Sequence, residues 1–172
     1  SVGHLIVDSL AAKLGAELTE GTGPADGFFT RQLSELNGQF LEIAFYKPMA
    51  SMNVLGHQVS KACRATVPSP ASMIVIHDDL DLPPATVKGT FGGPPGGHKG
   101  VRSVYSCVQG RPFYRLQIGI GRRGDAKDHV LGQLDTLERQ FWSPYGKGTH
   151  LAGEQISKIH LDILRTLNNP DE

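Results

Sequence analysis

The sequence predicts an α/β sandwich whose sheet is largely parallel or mixed. Three features carry that expectation: short apolar runs of strand length, amphipathic runs of helical length between them, and a glycine- and proline-rich loop that follows an acidic strand end. A length of 172 residues with 39% hydrophobic content suits one domain, residues 1–172, around one substantial core.

Val2, Leu5, Ile6, Leu10 and Leu14 recur at helical spacing, and Gly15 is a natural stop. Ser1 reads as the N-cap of that helix, or as the first residue after a cut inside a larger element. Residues 20–27 read as a mobile loop. Between Gln39 and Lys47, Leu41, Ile43 and Phe45 share one face of a strand that Pro48 ends. From Ser51 onward, Val54, Leu55, Val59, Ala62 and Cys63 mark an amphipathic helix. Ser72 to Ile76 is β-branched and apolar throughout its centre, the pattern of a strand buried on both faces. Thr86 to Phe91 alternates weakly, as a further strand does. Val101, Val104, Tyr105 and Val108 predict a helix. Tyr114, Leu116, Ile118 and Ile120 alternate with polar or small residues, predicting a half-buried strand. Ile156, Ile159, Ile163, Leu164 and Leu167 form the stripe of a last helix over 152–167, with His160 on its apolar side. About four strands are visible, where a sheet averages roughly five or six, which predicts a further strand at the amino end.

The stretch from His77 to Val104 concentrates chemistry: two histidines, the carboxylates Asp78, Asp79 and Asp81, the loop Gly92 to Gly97, and the basic helix start with Lys99 and Arg102. Carboxyl ends of strands in open α/β sheets are where ligand crevices form. A glycine-rich turn feeding a helix amino terminus presents free N–H groups to an anion such as phosphate. The plainer alternatives are a simple turn and helix-capping or solvated carboxylates. Neither the dinucleotide fingerprint nor the Walker pattern is present. Arg122 and Arg123 follow the last strand, a solvated turn unless a phosphate receives their planar forks.

Net charge is zero, so nucleic-acid contact would depend on a local basic patch. The only cysteines, Cys63 and Cys107, lack metal-ligand spacing and fall on apolar helical positions, as buried thiols in a reducing compartment do. With no run of transmembrane length and no visible signal peptide, the expectation is a soluble intracellular protein without membrane contact.

Five segments, KPMASMNVLG (47–56), VIHDDLDLPP (75–84), GGPPGGHKGVRSV (92–104), GIGR (119–122) and HVLG (129–132), resemble in this order the motif series of bacterial-type peptidyl-tRNA hydrolases. The similarity runs from Ser1 to about residue 135. It implies a single-domain, three-layer sandwich with a mixed, mostly parallel sheet, and a monomeric, cofactor-free, metal-independent esterase that cleaves peptide from the 3′ ribose of tRNA. It also implies cytoplasmic or mitochondrial (organellar) residence, with ribosome association as a further expectation.

Residue by residue, the resemblance implies that Asp78 orients the catalytic histidine and that Asn53 binds substrate and the attacking water. His98 stands beside the substrate channel, with Met52, Gly97 and Lys99 next to it. Val130 and Gly132 belong to the lid bordering the peptide groove, and Arg102 and Arg122 contact tRNA phosphate. The family's general-base histidine would lie one residue ahead of Ser1, and its first strand is absent; His4 is about a helical turn out of register. The chain as given is therefore expected to be nearly inactive. Lys99 stands where the family has an asparagine, and Thr90 where many members have a phosphate-clamping lysine. An ammonium beside Asp78 would form a charge pair, which supports a second reading as a non-catalytic RNA-binding relative of a ribosome or splicing complex. A small-molecule phosphate binder using the Gly92–Gly100 loop is the third.

Overall fold

A computed structural model describes residues 1–122, 134–169 and 171. Among them run helix α1 (Val2–Lys13), strands β1 (Thr19–Glu20), β2 (Gly27–Leu36) and β3 (Gln39–Pro48), and α2 (Gly56–Thr66). After a 3-10 turn at Pro70–Ser72 come β4 (Ile74–Asp79), β5 (Val87–Phe91), α3 (Lys99–Cys107) and β6 (Tyr114–Gly119). Two helices close the described chain, α4 (Thr136–Phe141) and α5 (Lys147–Asn168).

The strands form two sheets, β1-β2-β3 and β4-β6-β5. The α/β class and mixed pairing are as expected, but among the described residues one pairing, β4 with β6, is parallel and three are antiparallel. The expectation of a mostly parallel sheet is corrected accordingly. A parallel pair needs a long crossover, and the path from β4 through β5 and α3 supplies it for β6. The β2–β3 link is instead Asn37-Gly38, both at positive φ (51° and 76°), a tight connection that permits only antiparallel return.

Helices cover both faces of the second sheet, which gives the three layers. Ile74 and Ile76 of β4 join Val2, Ile6, Leu116, Ile118 and Ile159 in one core. Their neighbours Met73 and Val75 point the other way, to Val101, Val104 and Phe113. Alternation along a strand thus feeds two clusters, with α1 and α5 on one side and α3 on the other.

Two close approaches between backbones fix where α1, α2 and α3 sit. A Cβ on Gly3 would stand 2.6 Å from the Ile76 carbonyl oxygen, so only glycine lets the first turn of α1 rest on β4 two residues before Asp78. A Cβ on Gly56 would stand 2.1 Å from the Ser103 carbonyl oxygen, which locks α2 against α3; the Gly56 N–H also donates to Ser103 Oγ at 2.9 Å. Further on, β3 and β4 each pair on one edge among the described residues, and a cavity of about 700 Å³ runs between them.

Candidate active site

Asp78, the last residue but one of β4, lies in register with Ile118 of β6, and His98 is the N-cap of α3. The Gly92–Gly97 turn returns the chain so that these residues, 20 apart in sequence, meet: His98 Nε2 lies 3.1 Å from Asp78 Oδ1. On the other side of the ring, His98 Nδ1 accepts the Val101 N–H at 3.1 Å. An acceptor at Nδ1 puts the proton of the neutral ring on Nε2, where it donates to the carboxylate. Both nitrogens are thereby committed, so His98 has no lone pair for a water proton.

Burial would raise the Asp78 carboxyl, but the hydrogen bond from His98 and the electrostatic attraction of that ring outweigh it, and the group sits below its ordinary range. His77, its neighbour, is buried and meets the His98 ring edge-on at 4.9 Å between centroids. His77 Nδ1 donates to the Asp78 carbonyl at 2.8 Å, while Nε2 has no partner among the described residues. Burial, with the fields of His98 and Arg115 adding to it, lowers its pKa to about 4, so the ring is neutral at pH 7. His77 was not assigned a role from sequence; an apolar strand delivering a histidine beside an aspartate was the available signal.

Asp78 and His98 line the 700 Å³ cavity together with Met52, Ser1 and Gly3, and most of its remaining wall is apolar. Gly100 makes room for Met52: a Cβ there would stand 3.0 Å from both Met52 Cγ and His98 Cε1. Asn53, one residue on, is exposed and outside that lining. Gly97 is exposed with open space around it. Lys99 is exposed and, among the described residues, has no ion pair; the charge pair with Asp78 expected from sequence is replaced by His98, because Lys99 opens α3 pointing to solvent. Arg102 donates to the Gly96 carbonyl at 3.3 Å, strapping the loop. Arg122 reaches Asp81 Oδ1 through Nε and Nη2 at 2.9 and 2.7 Å. Val130 and Gly132 lie outside the described residues. His4 is lowered by burial, the amino terminus and Lys47, and Asp8 opposes this. Thr90 donates to Gln117, whose Nε2 donates to Asp79 Oδ2 at 2.7 Å, so two uncharged side chains link β5 to the Asp79 carboxylate.

The GIGR segment has a packing reason. A Cβ on Gly119 would lie 2.0 Å from the Pro83 carbonyl oxygen, and the Gly119 and Gly121 N–H groups hold the Asp79–Thr86 connection through the Thr86 and Leu82 carbonyls. Among the described residues no group of three or more His, Cys, Asp or Glu is placed to hold a metal, and no helix is long and apolar enough to cross a membrane.

An α/β sandwich with a carboxylate–imidazole pair at an apolar cavity is an arrangement that a small hydrolytic enzyme can use. The family model described as peptidyl-tRNA hydrolase matches residues 1–166, and the chain belongs to that family. The peptidyl-tRNA hydrolase of Mycobacterium marinum is 36% identical over 142 residues, 81% of this chain and 72% of that one. That of Carboxydothermus hydrogenoformans is 33% identical over 163 residues, 91% and 80% of the two chains. The crystal structure of peptidyl-tRNA hydrolase from Acinetobacter baumannii superposes with a TM-score of 0.74 at 27% identity, over 97% of this chain and 83% of that one. The hydrolase reading therefore stands over the non-catalytic binder.

Proposed function

We propose that this protein hydrolyses the ester between a peptide and the 3′ ribose of tRNA, releasing tRNA for reuse. The observation that carries the reading is the Asp78–His98 pair, held at the cavity where the first turn of α1 rests on β4. His98 occupies one Asp78 oxygen and leaves Oδ2 for a second imidazole. The resemblance puts that imidazole on a histidine adjoining Ser1, at the end of α1 that Gly3 holds against Ile76.

The chemistry is then ordinary acyl transfer to water. The imidazole takes a proton as water oxygen bonds to the ester carbonyl carbon, giving a tetrahedral oxyanion, and Asn53, next in sequence to the cavity-lining Met52, is proposed to bind the incoming substrate and water. Collapse breaks the bond to the 3′ oxygen, which leaves with the proton from the imidazolium. Asp78 acts through the imidazole as a positioning residue. Met52, Gly97, Lys99, Val130 and Gly132 are proposed to border the bound peptide and ribose, and Arg102 and Arg122 to meet phosphates. A strand entering between the edges of β3 and β4 would join the two sheets into one. A monomer acting in the cytoplasm or in mitochondria, in contact with the ribosome, completes the proposal.

The test is turnover of an N-blocked aminoacyl-tRNA by the protein carrying a histidine immediately ahead of Ser1. Asp78→Asn in that protein should lower turnover by about 100-fold or more. Turnover unchanged by Asp78→Asn would show the mechanism to be wrong.

A further inference from the structure

A second pocket, of about 300 Å³, lies on the far side of the glycine-rich loop. Gly92, Gly93, Pro95, Arg111, Phe113 and Arg115 are among the residues that line it. Two guanidinium groups line it, and no carboxylate does among the described residues. The other arginines of the described chain that have acidic partners are Arg31 with Glu42, Arg122 with Asp81 and Arg165 with Asp162. Arg115 and Arg111 have none there; each instead donates to a carbonyl, Arg115 Nη2 to Gly92 at 3.3 Å and Arg111 Nε to Val108 at 3.4 Å.

A guanidinium carries five N–H donors and cannot lose its charge, so one carbonyl contact leaves most of its donors for another acceptor. Arg115 is half-buried, which makes an unneutralised charge costly without an anion. It stands opposite Thr90 in the β5–β6 register, and the adjacent Thr90 and Gln117 side chains are uncharged. Gly92 and Gly93, at φ of 65° and 80°, turn the backbone so that the loop lies beside the Arg115 guanidinium. Val101 borders both this pocket and the Asp78–His98 cavity, so an anion here lies one helix width from the ester site.

We propose that the Arg111–Arg115 pocket binds a phosphodiester of the substrate RNA, anchoring the strand whose 3′ end enters the Asp78–His98 cavity. The assignment rests on the hydrolase reading for its choice of RNA; the shared chemistry, a phosphate group, also admits free phosphate. The experiment measures tRNA binding by fluorescence anisotropy across a salt series for the full chain and for Arg111→Gln and Arg115→Lys, with folding of each variant checked by its amide spectrum. Inorganic phosphate is titrated in parallel against the Gly92 and Gly93 amide signals.

The expected result is a five- to tenfold loss of affinity for Arg111→Gln, about the value of one charged hydrogen-bonded contact, and a salt slope reduced by about one. Arg115→Lys, which keeps the charge but loses the fork, should lose affinity with the slope kept. Unchanged affinity and slope in both folded variants overturns the site and leaves the hydrolase reading standing. No tRNA binding by the parent chain overturns both. Phosphate saturating the Gly92 and Gly93 signals without competition from tRNA makes this a free-phosphate site and overturns the RNA assignment.

Discussion

The His98 ring is bonded on both sides, to Asp78 through Nε2 and to the Val101 N–H through Nδ1, each at 3.1 Å. It joins the acidic strand end to the start of α3 and is at once a helix cap and a carboxylate partner. His98→Ala should cost about 1–3 kcal/mol, combining a lost cap with a half-buried carboxylate left short of a donor. In a double-mutant cycle with Asp78→Asn, denaturation at pH 7 should give a coupling of about 1 kcal/mol. Strictly additive losses would mean that the two side chains do not communicate.

His77 sets an acid limit on stability. Its folded pKa of about 4 lies below the ordinary 6.5, so the unfolded chain takes up a proton that the folded chain refuses. Stability from this group is complete above about pH 6.5, falls as pH drops toward 4, and amounts to roughly 3 kcal/mol. Asp78 is depressed in the fold, so its contribution holds above its ordinary value of 3.8 and is lost only as pH falls through its lower folded value, a window beneath that of His77. His4 is also lowered and acts in the upper window, which makes the comparison with His77→Phe necessary. Urea midpoints between pH 7 and 4 should fall more steeply for the parent than for His77→Phe; parallel curves would contradict the assignment.

Gly3 and Gly153 are both helical glycines with opposite prospects. Gly3→Ala drives a Cβ to 2.6 Å from the Ile76 carbonyl oxygen, which no side-chain rotation relieves, and should destabilise by about 1–3 kcal/mol. In the histidine-extended protein it should also reduce turnover beyond the folded fraction, because it lifts α1 off the strand that carries Asp78. Gly153 of α5 has nothing within 4 Å of an added Cβ, so Gly153→Ala should stabilise by about 0.5–1 kcal/mol. Thermal melts and turnover of the two variants separate these effects.

Legibility from sequence followed how strongly each residue pattern is local. β4 and β6 were readable because their β-branched and alternating residues feed buried cores on known faces. β2 was not, since Leu33 stays exposed while Ser34 faces inward, which blurs the alternation; the Asn37-Gly38 turn was its one clear mark. The sequence showed about four strands where the described chain has six. α4 escaped notice because none of its residues is buried, although the Asp135–Glu138 capping box announces it. Asp78 and His98 stood out as chemistry-bearing residues, and the resemblance gave each a place. Their hydrogen bond was not legible, because it depends on how the Gly92–Gly97 turn folds back across 20 residues.

Asp81 masks Arg122, and that contact offers a direct test of the phosphate role proposed for the arginine. Both N–H contacts fall on one carboxylate oxygen, and the two side chains are 64% and 75% exposed, so the pair contributes at most about 1 kcal/mol to stability. Asp81→Asn removes a charge that competes with RNA for the same guanidinium and subtracts one unit of negative charge from the strand end. If Arg122 meets a phosphate, the variant should bind tRNA about two- to fivefold more tightly with a salt slope steeper by about one, and Asp81→Asn/Arg122→Gln should lose the gain. An equal gain in the double variant would assign the effect to Asp81's charge alone and remove Arg122 from the RNA interface.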